Sequence, residues 1–411
     1  MANDDWVDCI QHNHCICSVI KYLMSLLKRI IVVCLALTVS IAPAGAALST
    51  ESIPAVFDQL LKVPALSNPA MILIDGTTGQ VIYEKNIYSQ RKPASVMKVL
   101  AGAVTVEHLD PQLTFNTTVH FSPEKKTIVI RGSFDPWIST SHSIARKMNR
   151  ASLPHMANST LNAVKESNGG SLKSFKVIYS NLYSQDVTNL KAIWAKNEFK
   201  PSFKSVPDQV AFMAQDQLVV SENSPMVGKI LDWMMLWSDN LLAERLARKA
   251  AAAAGYSSDI KGVNQIFRTL LANFEIDDSK LVVADASGLS KQNKITAKLM
   301  GELLYKIRQD EKYAAIYNSL PVSGVSGTLN NRFITTAPTA VGLIRAKTGT
   351  LNGTATLAGY VESTDREYIF VTLADQIPSG NSALDKARAA IDRVLGRIAA
   401  PNIPAEISPA G

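Results

Sequence analysis

Ser95-Val96-Met97-Lys98 sets a hydroxyl and a primary amine three residues apart, a spacing that puts both on one face of a helix. A serine hydroxyl is a poor nucleophile until a neighbouring base takes its proton. Lysine can be that base only when neutral, which requires burial or a nearby cation to lower its pKa. Taken alone the pattern is weak, because it recurs at Ser18, Ser25, Ser122 and Ser258.

Two further groupings follow in the chain. Ser238-Asp239-Asn240 stands before a helical stretch, where all three residue types also serve as ordinary N-caps. The chemical alternative gives Ser238 a place in a proton relay and Asn240 an amide that grips a substrate backbone. Lys347-Thr348-Gly349-Thr350 contains the single K-[ST]-G of the chain. A cation, hydroxyls and a residue without a side chain suit a ligand carboxylate at a strand edge, with Gly349 clearing room for substrate backbone. Other chemistries find little support. His108, His120, His142 and His155 are scattered, no H-E-x-x-H occurs, and no glycine-rich phosphate loop opens a helix. Trp233 and Trp237 at i, i+4 read first as core, although Trp237 abuts Ser238.

The elements that must carry these residues are readable in outline. Ala70 to Asp75 and Gln80 to Lys85 form a hairpin around Gly76-Thr77-Thr78-Gly79, and a helix runs from Val96 to about Val106. Residues 111–205 are richer in Ser, Asn and Lys, with short β-like runs at Thr127 to Arg131 and Phe175 to Tyr179, and read as an insertion. Helices return at Val227 to Leu236, Asn240 to Ala254 and Ala297 to Arg308, the last capped by Thr296. Thr354 to Glu362 and Glu367 to Ala374 alternate as adjacent strands, with Lys347-Thr348-Gly349 opening the first. Leu384, Ala387, Ile391, Val394, Leu395 and Ile398 mark one face of a final helix. The outline is an α/β sandwich of antiparallel strands and helices, interrupted by an insertion.

The chain has 411 residues, 47% hydrophobic and 19% charged, with a net charge of +7. That composition is globular and excludes a disordered tail protein and a multi-span membrane protein. The charge is too diluted to argue for nucleic acid. Lys28-Arg29, the apolar run Ile30 to Ile41 and Ala44-Gly45-Ala46 describe a secretory signal peptide over residues 1–46. Asp4, Asp5 and Asp8 are foreign to such a leader, which points to Met24 as the initiator. All four cysteines (Cys9, Cys15, Cys17, Cys34) fall within it, so the exported chain is thiol-free, without Cys catalysis or thiolate metal sites. The Pro-rich tail over residues 401–411 reads as flexible.

S-x-x-K, S-D-N and K-T-G in this order form the signature of serine β-lactamases and penicillin-binding proteins. Further stretches narrow the resemblance: Asp285-Ala286-Ser287-Gly288-Leu289-Ser290, Val325-Ser326-Gly327-Thr328-Leu329 with Arg332, and Trp237-Ser238-Asp239-Asn240-Leu241-Leu242-Ala243-Glu244. With these the chain resembles the D-Ala-D-Ala carboxypeptidases of the penicillin-binding protein 4 type over about residues 65–400. Phe134 and Ala286 depart from it, standing where glycine is usual.

The resemblance implies a transpeptidase-like α/β fold from residues 47–110 and 206–400, with residues 111–205 as an inserted accessory domain. It implies Ser95 as nucleophile, Lys98 as base and Ser238 in the proton relay. Asn240, Lys347, Thr348, Gly349 and Thr350 would bind substrate, the backbone N–H groups of Ser95 and Thr350 would form an oxyanion hole, and the Lys347 charge would help keep Lys98 neutral. The implied partners are peptidoglycan stem peptides and covalently bound β-lactam antibiotics, without nucleic acid, metal or cofactor, in an extracytoplasmic location. Two alternatives share the motifs: a secreted β-lactamase, for which an E-x-x-L-N loop is missing near Glu275, and a non-catalytic wall-binding protein of the same fold.

Overall fold

The computed structural model describes residues 48–364 and 366–401. The signal peptide, the Met24 start and the tail beyond Pro401 lie outside the described residues. The first sheet runs in the order β2-β1-β10-β9-β8. Its strands are β1 (Ala70–Asp75), β2 (Val81–Lys85), β8 (Ile344–Leu351), β9 (Thr354–Ser363) and β10 (Arg366–Ala374), each pair antiparallel.

All six residues of β1 are buried because both faces of the sheet are covered. With a side-chain period of two, Ala70, Ile72 and Ile74 face one core, together with the helices Lys98–His108, Asn240–Ala253, Ile260–Asn273 and Ala297–Gln309. Met71 and Leu73 face the other, with Ile53–Leu60 and Asn381–Gly396. Thr296 caps the Ala297–Gln309 helix by accepting from Leu299 N–H, as its sequence position predicts.

A second sheet has the order β6-β5-β4-β3-β7, from β3 (Asn116–Phe121), β4 (Thr127–Arg131), β5 (Lys176–Ser180), β6 (Ser202–Ser205) and β7 (Leu218–Asn223). The β4–β5 and β5–β6 pairs are parallel, which demands crossovers. The helices His142–Met148 and Leu153–Ser167 make the first, and Ser184–Ala195 the second. This sheet has a core of its own around Trp194, Ile128, Ile130 and Val177. Pairing of β7 with β3 carries it to Asn223, beyond residue 205.

Two side chains of the Asn240–Ala253 helix tie it to this second region. Arg245 donates to the Pro136 carbonyl at 3.0 Å, stands 3.9 Å from Asp186 and lies over the Tyr183 ring. Lys249 donates to the Ser133 carbonyl at 2.8 Å and covers the Phe115 ring. Arg245 and Asp186 are both buried.

The structure corrects one strand assignment. Lys347-Thr348-Gly349 does not open the 354–363 strand; it lies on β8, an edge strand of its own that pairs with β9. Leu351 faces Thr354, so Asn352-Gly353 is a two-residue hairpin turn with Gly353 at φ +75°, the kind of turn for which Asn-Gly is the strongest signal. The scattered histidines are also less scattered in space: the His142 and His155 rings stack at 5.5 Å, and His155 meets Glu222.

Candidate active site

The chain reaches Ser95 through a constrained turn. Ala94 is fully buried and takes φ +47°, a left-handed conformation that costs a residue with a Cβ about 1 kcal/mol or more. Ala94–Met97 form a 3-10 turn, and Lys98 begins the Lys98–His108 helix. Side chains three apart nearly eclipse in 3-10 geometry, which sets Lys98 under Ser95.

Lys98 is fully buried. Its Nζ lies 2.9 Å from Ser95 Oγ, 2.6 Å from Asn240 Oδ1 and 2.7 Å from the Ser287 carbonyl oxygen. The Asn240 amide oxygen and the Ser287 carbonyl oxygen can only accept, so they take two N–H bonds. In a neutral amine the remaining lone pair is then left for the Ser95 hydroxyl. Burial pushes the Lys98 ammonium down to about 8, while the Asp285, Asp239 and Glu244 charges pull it back up.

The Ser287 carbonyl is held by a small network. Asp285 accepts from the Gly288 and Ser290 N–H groups and from Asn293, and Glu244 accepts from the Ala286 and Ser287 N–H groups. Gly288 has φ +82°, and a Cβ there would sit 1.8 Å from the Ala94 carbonyl oxygen. Gly288→Ala therefore forces apart the two turns that hold Ser95 and Lys98. We expect a loss of about 2 kcal/mol or more of stability and at least a hundredfold slower labelling by a fluorescent penicillin. Unchanged thermal unfolding and labelling would refute this.

Ser238 ends the Val227–Trp237 helix in the left-handed conformation, φ +61°, and Asp239 caps the next helix by accepting from Leu242 N–H. The capping function thus falls to Asp239. Ser238 and Asn240 both line the cleft beside Ser95. The Asn240 oxygen is spent on Lys98, which leaves its NH2 group for a ligand. Among the described residues the Ser238 hydroxyl has no hydrogen-bond partner, so Ser238 is brought to the site without being tied to Ser95, Lys98 or Lys347.

On β8, Lys347 is fully buried, and its Nζ donates to the Thr348 carbonyl at 3.1 Å. Burial, and secondly the Lys98 charge, push the Lys347 ammonium well below its ordinary range. Burial is the first cause of the lowered Lys98 pKa, and the Lys98 and Lys347 ammonium groups also repel each other. Gly349 also has a packing reason. A Cβ at 349 would lie 2.1 Å from Thr356 Oγ1 and 2.8 Å from the Pro93 carbonyl oxygen, so the glycine lets β8 approach the turn that carries Ser95. Thr348 Oγ1 bonds Thr328 Oγ1 at 2.7 Å, and Thr350 Oγ1 accepts from Arg388 at 3.0 Å.

These groups surround one cleft of about 590 Å³, lined by Ser95, Ser238, Asn240, Thr348, Thr350 and Arg388, among others. Residues 188–398, just over half the chain, match the D-Ala-D-Ala carboxypeptidase 3 (S13) family. The chain belongs to that family. Residues 58–189 match a second family of D-alanyl-D-alanine carboxypeptidases, S11, and with these matches the protein is a serine-type hydrolase.

Individual relatives agree with the S13 assignment. The chain is 28% identical to the carboxypeptidase DacB of Mycolicibacterium smegmatis, over 81% of this chain and 83% of that protein. It is 33% identical to the D-alanyl-D-alanine carboxypeptidase of an Actinomadura species, over 38% of this chain and 30% of that protein. In fold it is similar to penicillin-binding protein 4 of Haemophilus influenzae, with TM-score 0.63, 17% identity and coverage of 82% of this chain and 97% of that one. The transpeptidase-like fold is thus established.

Within this S13 chain, several groups around the cleft escaped the sequence reading of the site. The Ser287 carbonyl, Glu244 and Asp285 were recognisable only as parts of matching stretches, without a role. Arg388 left no local signal, because the final helix was read by its apolar face. Phe134, where glycine is usual, takes φ +53° and packs its ring at a tilt against Tyr183, centroids 5.3 Å apart. The left-handed backbone accounts for the usual glycine.

Proposed function

We propose that the protein removes the terminal D-alanine from peptidoglycan stem peptides through an acyl-enzyme on Ser95. The observation that carries this reading is the buried Lys98 amine, with two carbonyl acceptors and the Ser95 hydroxyl within 2.9 Å. In this reaction Lys98 takes the hydroxyl proton as Ser95 Oγ bonds to the carbonyl carbon between the two D-alanines. The peptide C–N bond then breaks, and the departing D-alanine nitrogen receives a proton through Ser238. Water cleaves the ester, releasing the shortened peptide and restoring the hydroxyl.

The N–H groups of Ser95 and Thr350 stabilise the oxyanion, about 3 kcal/mol for each donor. The Ser95 N–H suits this role because it lies in the first turn of a helix, where no preceding intrahelical carbonyl accepts it. The Asn240 NH2 holds the acyl side, and Lys347, Thr348 and Thr350 hold the terminal carboxylate, with Gly349 setting β8 in place. β-Lactams are covalent ligands of the same serine; a neighbour of the same fold is a penicillin G-acylated endopeptidase from Bdellovibrio bacteriovorus. Residues 1–46 act as an export signal in this reading, and residues 111–205 belong to an accessory region inserted in the catalytic domain.

Incubation with purified muropeptides and mass spectrometry of the products tests the proposal. Loss of one D-alanine from pentapeptides is expected. Scission of cross-linked dimers instead makes the protein an endopeptidase. Fast nitrocefin turnover without D-alanine release makes it a β-lactamase, and binding without any product a scaffold protein.

A further inference from the structure

Among the described residues, three of the four basic side chains at or beneath the cleft are already committed. Lys98 is held by Ser95, Asn240 and Ser287, and Lys347 is fully buried against the Thr348 carbonyl. Arg332 is paired with Asp392, their side chains only 14% and 4% exposed. Arg388 differs. It lines the cleft, donates to Thr350 Oγ1 at 3.0 Å, and forms its ion pair with Asp385 at 2.9 Å, the two side chains 35% and 70% exposed.

Building on the reading of the cleft as a site for a D-alanyl-D-alanine end, we propose that Arg388 is a specificity-determining residue that takes the free terminal carboxylate of the substrate in its guanidinium fork, beside Thr350, on release from Asp385. An exposed ion pair such as Arg388–Asp385 is worth only about 0–1 kcal/mol, so exchanging it costs little. A guanidinium can instead meet a carboxylate through two parallel N–H bonds, a stronger and more directional contact. The starting position is fixed from behind: Arg332 donates to the Arg388 carbonyl at 3.2 Å, and its buried pair with Asp392 locks that stretch of the Asn381–Gly396 helix. Arg388 also keeps its charge at any physiological pH, whereas burial lowers the pKa of Lys347. Asp385 is the competitor that occupies the fork while the cleft is empty.

The test compares the full chain with Arg388→Ala, Arg388→Lys and Asp385→Asn on two peptides ending in D-Ala-D-Ala, one a free acid and one amidated at the terminal carboxylate. Arg388→Ala is expected to lower kcat/KM for the free acid about 10- to 100-fold, as the loss of a hydrogen bond to a charged group implies, and mainly through KM. The amidated peptide should change less than about twofold, Arg388→Lys should fall between, and Asp385→Asn should raise turnover of the free acid about two- to threefold. Equal losses on both peptides, or none on the free acid, overturn the proposal for Arg388 while leaving the D-alanine reading intact. A parent chain that releases no D-alanine from the free acid overturns both.

Discussion

Ser95→Ala is expected to abolish covalent labelling by a fluorescent penicillin, with the thermal unfolding midpoint kept within a few degrees of the parent. The serine is half-buried, and the hydrogen bond of its side chain is to Lys98 Nζ. Its removal therefore takes away the nucleophile without opening a cavity in either core. Loss of the nucleophile in a serine hydrolase costs on the order of 10⁴-fold or more in turnover. D-alanine release should fall with the labelling. A variant that still carries the label after denaturation would move the nucleophile elsewhere in the chain.

Lys98→Met is expected to slow acylation by about 10³- to 10⁴-fold, within the range of general-base contributions and their loss at a coupled pair. Methionine fills much of the lysine volume, so the surrounding core of Val99, Leu100 and Met97 should hold. The parent supplies the companion measurement. Only the neutral amine can take the Ser95 proton, and burial brings the Lys98 pKa to about 8. The acylation rate should therefore rise with pH through the neutral range and level off above about 8. The Lys98→Met residual rate should lose that rise. A parent profile that is flat between pH 6 and 9, or one that falls as pH increases, would remove lysine from the role of base.

Much of this site was legible because its chemistry resides in residue types. Ser95, Lys98, Asn240 and Thr348 announce hydroxyl, amine and amide at fixed positions in the sequence, and the fold gathers them. β1 was legible as an apolar run bounded by turn residues, and β9 and β10 by their alternation, although the covered sheet buries nearly every residue of both. The Ser287 carbonyl was not, because every residue carries one and only the Gly288 turn aims this one. Arg388 was hidden in the same way, since an arginine on the polar face of an amphipathic helix reads as solvated. The edge strand that carries Lys347 merged with β9 until Asn352-Gly353 was seen to be a turn. Gly349 was visible as a glycine, yet its packing reason was not, because the pressing neighbours are Thr356 and Pro93, the latter more than 250 residues away in sequence.

The helix that begins at Asn240 serves two masters along its length. Its first residue holds the Lys98 amine, and a turn or more later Arg245 and Lys249 bond carbonyls of the segment that follows β4. Excising that region would remove Asp186, the Pro136 carbonyl and the Tyr183 ring from Arg245 and open this face of the helix to water. The accessory part of the chain is thus anchored on the helix that presents Asn240 to the cleft, and a cut that frees one end of that helix acts on the other.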